Sequence, residues 1–366
     1  MRQMKTLFVY VHVGEEGNMM QQLLVNRDTA SLGYWLDWRV FFCGTMVIFF
    51  MFIAFFLLWK YEWSAVKDES GGRYADDQRQ WEEGKAAAAA AWRPCVKEVN
   101  PFCLLAFRLV SFCLLLATFS CHVVVYGGSL FYYYTQWTFT LVTIYFGFGS
   151  VLSIYGCSQY IKATMTVIND DDDRWKEGLE DKLLITASAG EYCNGDHHHH
   201  HVMKRELTDD CHNTDIYPKR AALLCGYIFQ VLFQIGGGAV VLTDIVYWFI
   251  IFPTLDDSDL TLLTVVAHSL NMLLLGDASF NCLPFPWFRI AYFIFWTGAY
   301  VLSQWIVHAL QSIWWPYPFL DLSTPNAPLW YLVVALMHIP CYGTVVLLVE
   351  LKKWVLSKYL PSYVVF

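Results

Sequence analysis

Charge is scarce in this chain. Only 15% of its 366 residues are Asp, Glu, Lys or Arg, against about 25% in an ordinary soluble domain. That density cannot cover a soluble surface, and the net charge of -8 argues against a nucleic-acid partner. Catalytic signatures are missing too: neither GxSxG nor HExxH occurs. The Asp-Arg-Tyr and Asn-Pro-x-x-Tyr patterns of seven-helix receptors are absent, as are an internal repeat and the matched broken helices of many transporters. No Asn-x-Ser/Thr sequon appears. A cleavable signal peptide is not expected either, because the first long apolar run starts only near Val40. That run is expected to stay as an anchor.

What the chain has instead is grease. Apolar residues make up 57% and aromatics 18%, and the mean hydropathy is +0.38. About 20 apolar residues cross a bilayer core, and seven such stretches are legible: Val40 to Trp59, Cys103 to Tyr126, Gln136 to Cys157, Ala221 to Phe252, Leu260 to Leu283, Trp287 to Leu310 and Leu329 to Leu351. The expected fold is an all-α polytopic transmembrane bundle of seven spans, one N-terminal span plus a six-span core. Residues 1–39 form a tail before the first span (40–59). A low-complexity loop (60–102) leads to spans two and three (103–158), an acidic, His-rich disordered loop (159–220) to spans four to seven (221–351), and a tail (352–366) follows. Gly236, Gly237 and Gly238 imply either close approach of a neighbouring helix or a kink.

Basic residues set the expected orientation. The loop after the first span holds seven Lys or Arg and the loop after the third holds eight, while 127–135, 253–259 and 311–328 hold none. Positive-inside bias then puts the C-terminus in the cytosol and the N-terminus outside. Arg108 and Arg289 fall at inner ends and are expected to snorkel to the headgroups as topology anchors. Tracts at Ala86 to Ala91, Asp170 to Asp173 and His197 to His201 read as repeat expansion in loops rather than sites. The eleven cysteines lie in spans or cytosolic loops, so structural disulfides are not expected.

Polar residues inside spans are costly and so are functional candidates. Three stripes recur at helical spacing: Arg108, Ser111, Thr118 and His122; Gln136, Thr140, Thr143, Gly147 and Ser150; Thr297, Tyr300, Gln304 and His308. With the orientation above, His122, Thr140, Asp244, His268, His308 and His338 fall at similar depth in the outer half. Two chemistries suit such a cluster. A threonine polarised by an imidazole could attack an ester, or several of the histidines could ligate zinc or iron. Asp277 and Asn281, on the inner half, are expected to pair with a neighbour or water.

The segments FYYYTQWTFTLVTIYFGFGSVLSIYGC, AHSLNMLLLGD and VHALQSIWWPYPFLD resemble plant multi-pass proteins related to the rolling stone family. More distantly they are similar to the androgen-induced membrane proteins. The distant resemblance implies a threonine hydrolase acting on fatty-acid esters of hydroxy fatty acids, with a Thr after a Trp and a His in a later helix. His268 and Trp137 match that pattern, and Thr140, which the stripe turns inward, is the expected nucleophile among Thr138, Thr140 and Thr143. His122, Thr138, Asp244, Gln304, His308, Trp315 and His338 are expected to shape the pocket. No metal or cofactor is expected, and membrane lipids are the expected partners, in an endomembrane or the plasma membrane. The rolling stone branch, associated with cell fusion, implies the alternative: a non-enzymatic membrane organiser.

Overall fold

The structure, a computed structural model, describes residues 31–63, 90–169, 216–254, 262–311 and 313–361. The tail to residue 30, Ala86 to Ala89, the Asp and His tracts, Cys193 and Cys211 lie outside them. Among the described residues the chain is helical, with an isolated bridge between Pro94 and Asn281.

Among the described residues nine α-helices follow in order. A short α1 (Leu32–Trp35) precedes α2 (Trp38–Leu58), then come α3 (Pro101–Tyr126), α4 (Tyr134–Asn169) and α5 (Ile216–Ile245). After these run α6 (Leu262–Asn271), α7 (Leu273–Phe280), α8 (Ile290–Leu310) and α9 (Ala327–Tyr359). Local sequence explains the ends. Asp37 caps α2 by accepting from Arg39 N–H at 2.9 Å, and Asn100 caps α3 by accepting from Phe102 N–H at 3.0 Å, with Pro101 in the first turn. Gly127 ends α3 at φ 60°, where a Cβ would be strained.

Among the described residues six helical stretches are long and apolar enough to cross a membrane: Trp38–Glu62, Pro101–Tyr132, Tyr134–Lys162, Leu224–Ile251, Trp287–Leu310 and Ala327–Tyr359. They are what a multi-pass integral membrane protein requires. The stretch from Leu260 to Leu283, expected as one further span, is instead broken at Met272 into α6 and α7. Polar contacts account for the break: His268 of α6 turns toward Asp244, while Asp277 of α7 turns toward Arg108.

The hub is α5, which packs against α4, α8, α9, α6 and α7. Some 61% of its spanning stretch is buried within the bundle, against 17% for α2, which lies at one edge on α8 and α9. At the other edge α3 packs on α4, α6 and α7. The triple glycine decides how closely α5 is surrounded. A Cβ would lie 2.9 Å from Leu274 at Gly236, 3.0 Å from Phe285 at Gly237 and 2.5 Å from Phe293 at Gly238. Each glycine thus admits a different neighbour, and α5 continues unbroken through all three. Close approach, not a kink, is their use.

Arg108 corrects the expectation of a snorkelling anchor. Its side chain is wholly buried, donating Nε to Asp277 Oδ1 at 2.8 Å and Nη2 to Oδ2 at 3.1 Å. Nη1 donates to Ser153 Oγ at 2.9 Å and to the Ala91 carbonyl at 2.5 Å. Asp277 also accepts from Tyr145 Oη at 2.5 Å and Asn281 Nδ2 at 2.8 Å. An arginine could not reach the headgroups while so engaged. The buried Asp277 carboxylate holds the guanidinium within the protein because donors reach both of its oxygens, Oδ1 from Arg108 Nε and Oδ2 from Arg108 Nη2, Tyr145 and Asn281. Arg289 is also held in protein, with Glu62 at 2.8 Å.

Candidate functional site

The three expected stripes do face inward. Thr297, Tyr300, Gln304 and His308 on α8 are buried, as are Ser111 and His122 on α3 and Thr143 and Ser150 on α4. The histidines, however, go to separate partners. His122 Nδ1 meets Gln136 Nε2 at 3.1 Å. His268 Nδ1 lies 3.3 Å from Asp244 Oδ1, its ring stacked on Tyr247 at 3.6 Å between centroids. His308 donates from Nδ1 to the Gln304 carbonyl at 2.7 Å and stacks on Trp315 at 3.7 Å. Among the described residues no three His, Cys, Asp or Glu side chains are grouped to hold a metal.

Thr140 does not meet His268. Its hydroxyl donates to the Gln136 carbonyl at 2.7 Å, one turn back in its own helix. This is the usual fate of threonine in an apolar helix, where the nearest acceptor is the i-4 carbonyl. Thr45, Thr143, Thr164, Thr243 and Thr344 do the same. Thr138, fully buried, has its oxygen 3.4 Å from that of Thr243.

Thr297 behaves differently. Its Oγ1 lies 2.9 Å from His338 Nε2 and 3.0 Å from Tyr134 Oη. The protons can be assigned from donor capacity alone. His338 Nδ1 sits 2.9 Å from the Val334 carbonyl, which only accepts, so Nδ1 carries the hydrogen. Nε2 of the neutral ring is then an acceptor and takes the Thr297 proton. The Tyr134 hydroxyl in turn donates to Thr297 Oγ1. The result is a directed relay, Tyr134 to Thr297 to His338, held by α4, α8 and α9. His338 was expected at the pocket; Tyr134 was not, since it precedes the apolar run and only tertiary packing brings it to α8.

Two apolar cavities meet at Thr297. One, of about 570 Å³, is lined by Met46, Met51, Val301, Phe319 and Ala335 together with Thr297 and His338. The other, of about 560 Å³, is bounded by Tyr134, Leu242, Val246 and Tyr317 and again by Thr297. No family model, curated protein or solved structure matches the chain. Its site has to be judged on its own geometry.

That geometry is a hydroxyl with its proton already directed at an imidazole, in walls that are otherwise hydrocarbon. Gly298 beside it lets α2 close over the larger cavity, since a Cβ there would lie 3.0 Å from Met51 Sδ. The segment after α8 roofs the site: Tyr317 stacks on Phe319 at 5.0 Å, and Tyr331 accepts from Trp305 Nε1 at 2.9 Å and donates to the Leu320 carbonyl at 3.1 Å. Burial pushes the Tyr317 hydroxyl up to about 12. It stays protonated and adds no charge to the roof.

Proposed function

We propose that this protein is an intramembrane lipid-ester hydrolase whose reacting pair is Thr297 and His338. One observation carries the proposal: Thr297 gives its proton to a side-chain imidazole at a cavity wall, where other threonines of the bundle spend theirs on their own helix. The resemblance to the androgen-induced membrane hydrolases supports the reaction class, with the pair moved from Thr140 and His268 to Thr297 and His338.

The acyl chain occupies the apolar cavity and sets its ester carbon beside Thr297 Oγ1. Oγ1 attacks that carbon while His338 Nε2 takes the proton. The Nδ1 hydrogen bond to the Val334 carbonyl holds the ring in the accepting tautomer and steadies the imidazolium that forms. The leaving alkoxide takes the proton from Nε2 and departs as an alcohol. Water then attacks the acyl-threonine with His338 again as base, releasing the fatty acid and restoring Thr297. Tyr134, whose hydroxyl reaches Thr297 Oγ1, is an O–H beside the attacked carbon that can turn to the carbonyl oxygen as it gains charge. With its positive loops at the Arg108 end, that end and the C-terminus face the cytosol.

The test is turnover of a fatty-acid ester of a hydroxy fatty acid by the full chain in lipid nanodiscs. Thr297→Ala and His338→Gln are expected to lower kcat by at least about 100-fold, the scale of a lost base or nucleophile, and Thr297→Ser to retain activity. Thr140→Ala and His268→Ala are expected to keep turnover at equal folded yield. Loss with those two and not with Thr297 would return the pair to its expected place. No ester turnover by well-folded wild type would favour the membrane-organiser alternative.

A further inference from the structure

The stretch 91–100 docks against the end of α7 at the Arg108 end of the bundle. Pro94 and Asn281 form an antiparallel bridge, and Cys95 N–H donates to the Phe280 carbonyl at 3.0 Å. Cys95 Sγ lies 2.6 Å from the Asn281 carbonyl. In this register Cys95 stands opposite Phe280, and its thiol, donating to the Asn281 carbonyl, lies beside the neighbouring Cys282, with which it shares a hydrogen bond. Lys352 of α9 reaches the same place, its Nζ 2.6 Å from the Ala278 carbonyl and 2.7 Å from that of Asn281. Two cysteines outside the six spans, next to the Lys352 ammonium of α9, have the makings of redox chemistry.

We propose that Cys95 and Cys282 are a reversible oxidation site, converted to a disulfide by peroxide. The chemical roles divide by environment. The hydrogen bond from Cys282, and after it the Lys352 charge, hold the Cys95 thiol below the usual cysteine range, while the same contact pushes Cys282 up. Cys95 is buried and Cys282 is half-buried. Lys352 Nζ and the Cys95 thiol share the Asn281 carbonyl, so the ammonium stands beside Cys95 and favours its thiolate against the burial that opposes it; Cys95 is the attacking thiol and Cys282 the resolving one.

The Cys95 thiolate attacks one oxygen of hydrogen peroxide and the O–O bond breaks; the hydroxide leaving group takes a proton and becomes water. Cys95 is then a sulfenic acid. The sulfur of Cys282, losing its proton, attacks the Cys95 sulfur and expels its hydroxyl as a second water. Two thiols have lost two electrons and two protons, and peroxide has become two waters. Thiol exchange with a reducing dithiol reverses the bond.

The bond has a structural consequence. Ala91, four residues before Cys95, supplies a carbonyl to Arg108, and Asp277, five residues before Cys282, is the partner of that arginine. Joining Cys95 to Cys282 ties both sides of the buried ion pair together, so the oxidised chain resists unfolding more than the reduced one.

The experiment uses the full chain in nanodiscs, treated with hydrogen peroxide, alkylated and digested without reduction for mass spectrometry. A Cys95–Cys282 linked peptide is expected in wild type, lost on adding dithiothreitol. In Cys282→Ser the linked peptide is absent and Cys95 is trapped by dimedone as the sulfenic acid. Lys352→Gln is expected to slow formation of the linked peptide. Recovery of Cys95 and Cys282 fully alkylated after peroxide, under conditions that oxidise a small-molecule dithiol, would overturn the proposal. So would a linked peptide joining Cys95 to another cysteine at equal yield.

Discussion

The Arg108–Asp277 pair offers the sharpest test of how this bundle is held together. Both side chains are fully buried, and the contact is two-pronged at 2.8 and 3.1 Å. Arg108→Met removes the cation and leaves Asp277 with the Tyr145 and Asn281 donors alone. An uncompensated buried charge of this kind costs about 3–5 kcal/mol, or between two and four decades in the unfolding equilibrium at about 1.4 kcal/mol each. Asp277→Leu, which strands the guanidinium, is expected to cost a similar amount. The double variant Arg108→Met with Asp277→Leu removes both desolvation penalties at once and is expected to fall within about 1–2 kcal/mol of wild type. Arg108→Lys keeps the charge but cannot grip both oxygens, and sits between. The assay is reversible unfolding in mixed micelles titrated with a denaturing detergent, followed by tryptophan fluorescence. The reasoning fails if each single variant costs under about 1 kcal/mol and the two effects simply add. That result would mean that water reaches the pair and screens it.

Packing at the hub makes a second expectation. Gly238→Ala, whose Cβ would sit 2.5 Å from Phe293, is expected to destabilise by about 1–3 kcal/mol, while Gly343→Ala, which meets nothing within 4 Å, is expected to be neutral or slightly favourable in the same unfolding assay. Asp244→Ala removes the partner of His268 and is expected to cost about 1 kcal/mol; an unchanged midpoint would show that the contact contributes nothing. At the start of α2, hydrogen bonds from Arg39 lower the Asp37 carboxyl from 3.8 to about 2. A depressed carboxylate stabilises the folded state above its ordinary value and ceases to as pH falls toward 2. The carboxyl carbon shift should titrate near pH 2 in wild type, and nearer 3.8 in Arg39→Gln.

Much of the architecture is written in one dimension. Long apolar runs have no other low-energy state than helices in hydrocarbon, so the six long helices follow from hydropathy alone. The inward stripes on α3, α4 and α8 follow from 3.6-residue periodicity, and the caps at Asp37 and Asn100 from residue type. Periodicity says which face of a helix turns inward, but not which residue of another helix it meets there. Thr140 and Thr297 look alike in sequence. One closes on the Gln136 carbonyl, and the other meets His338, 41 positions away, because α8 and α9 come together at that height. Arg108 looked like an anchor because its position along α3 is near an end. Its partner lies 169 residues on, in a stretch that folds as two short helices precisely where their polar side chains find α5 and α3. Burial of an ion pair, the tautomer of a histidine and the contact of two thiols depend on distances between elements, and helix-on-helix packing around the glycine face of α5 sets those distances.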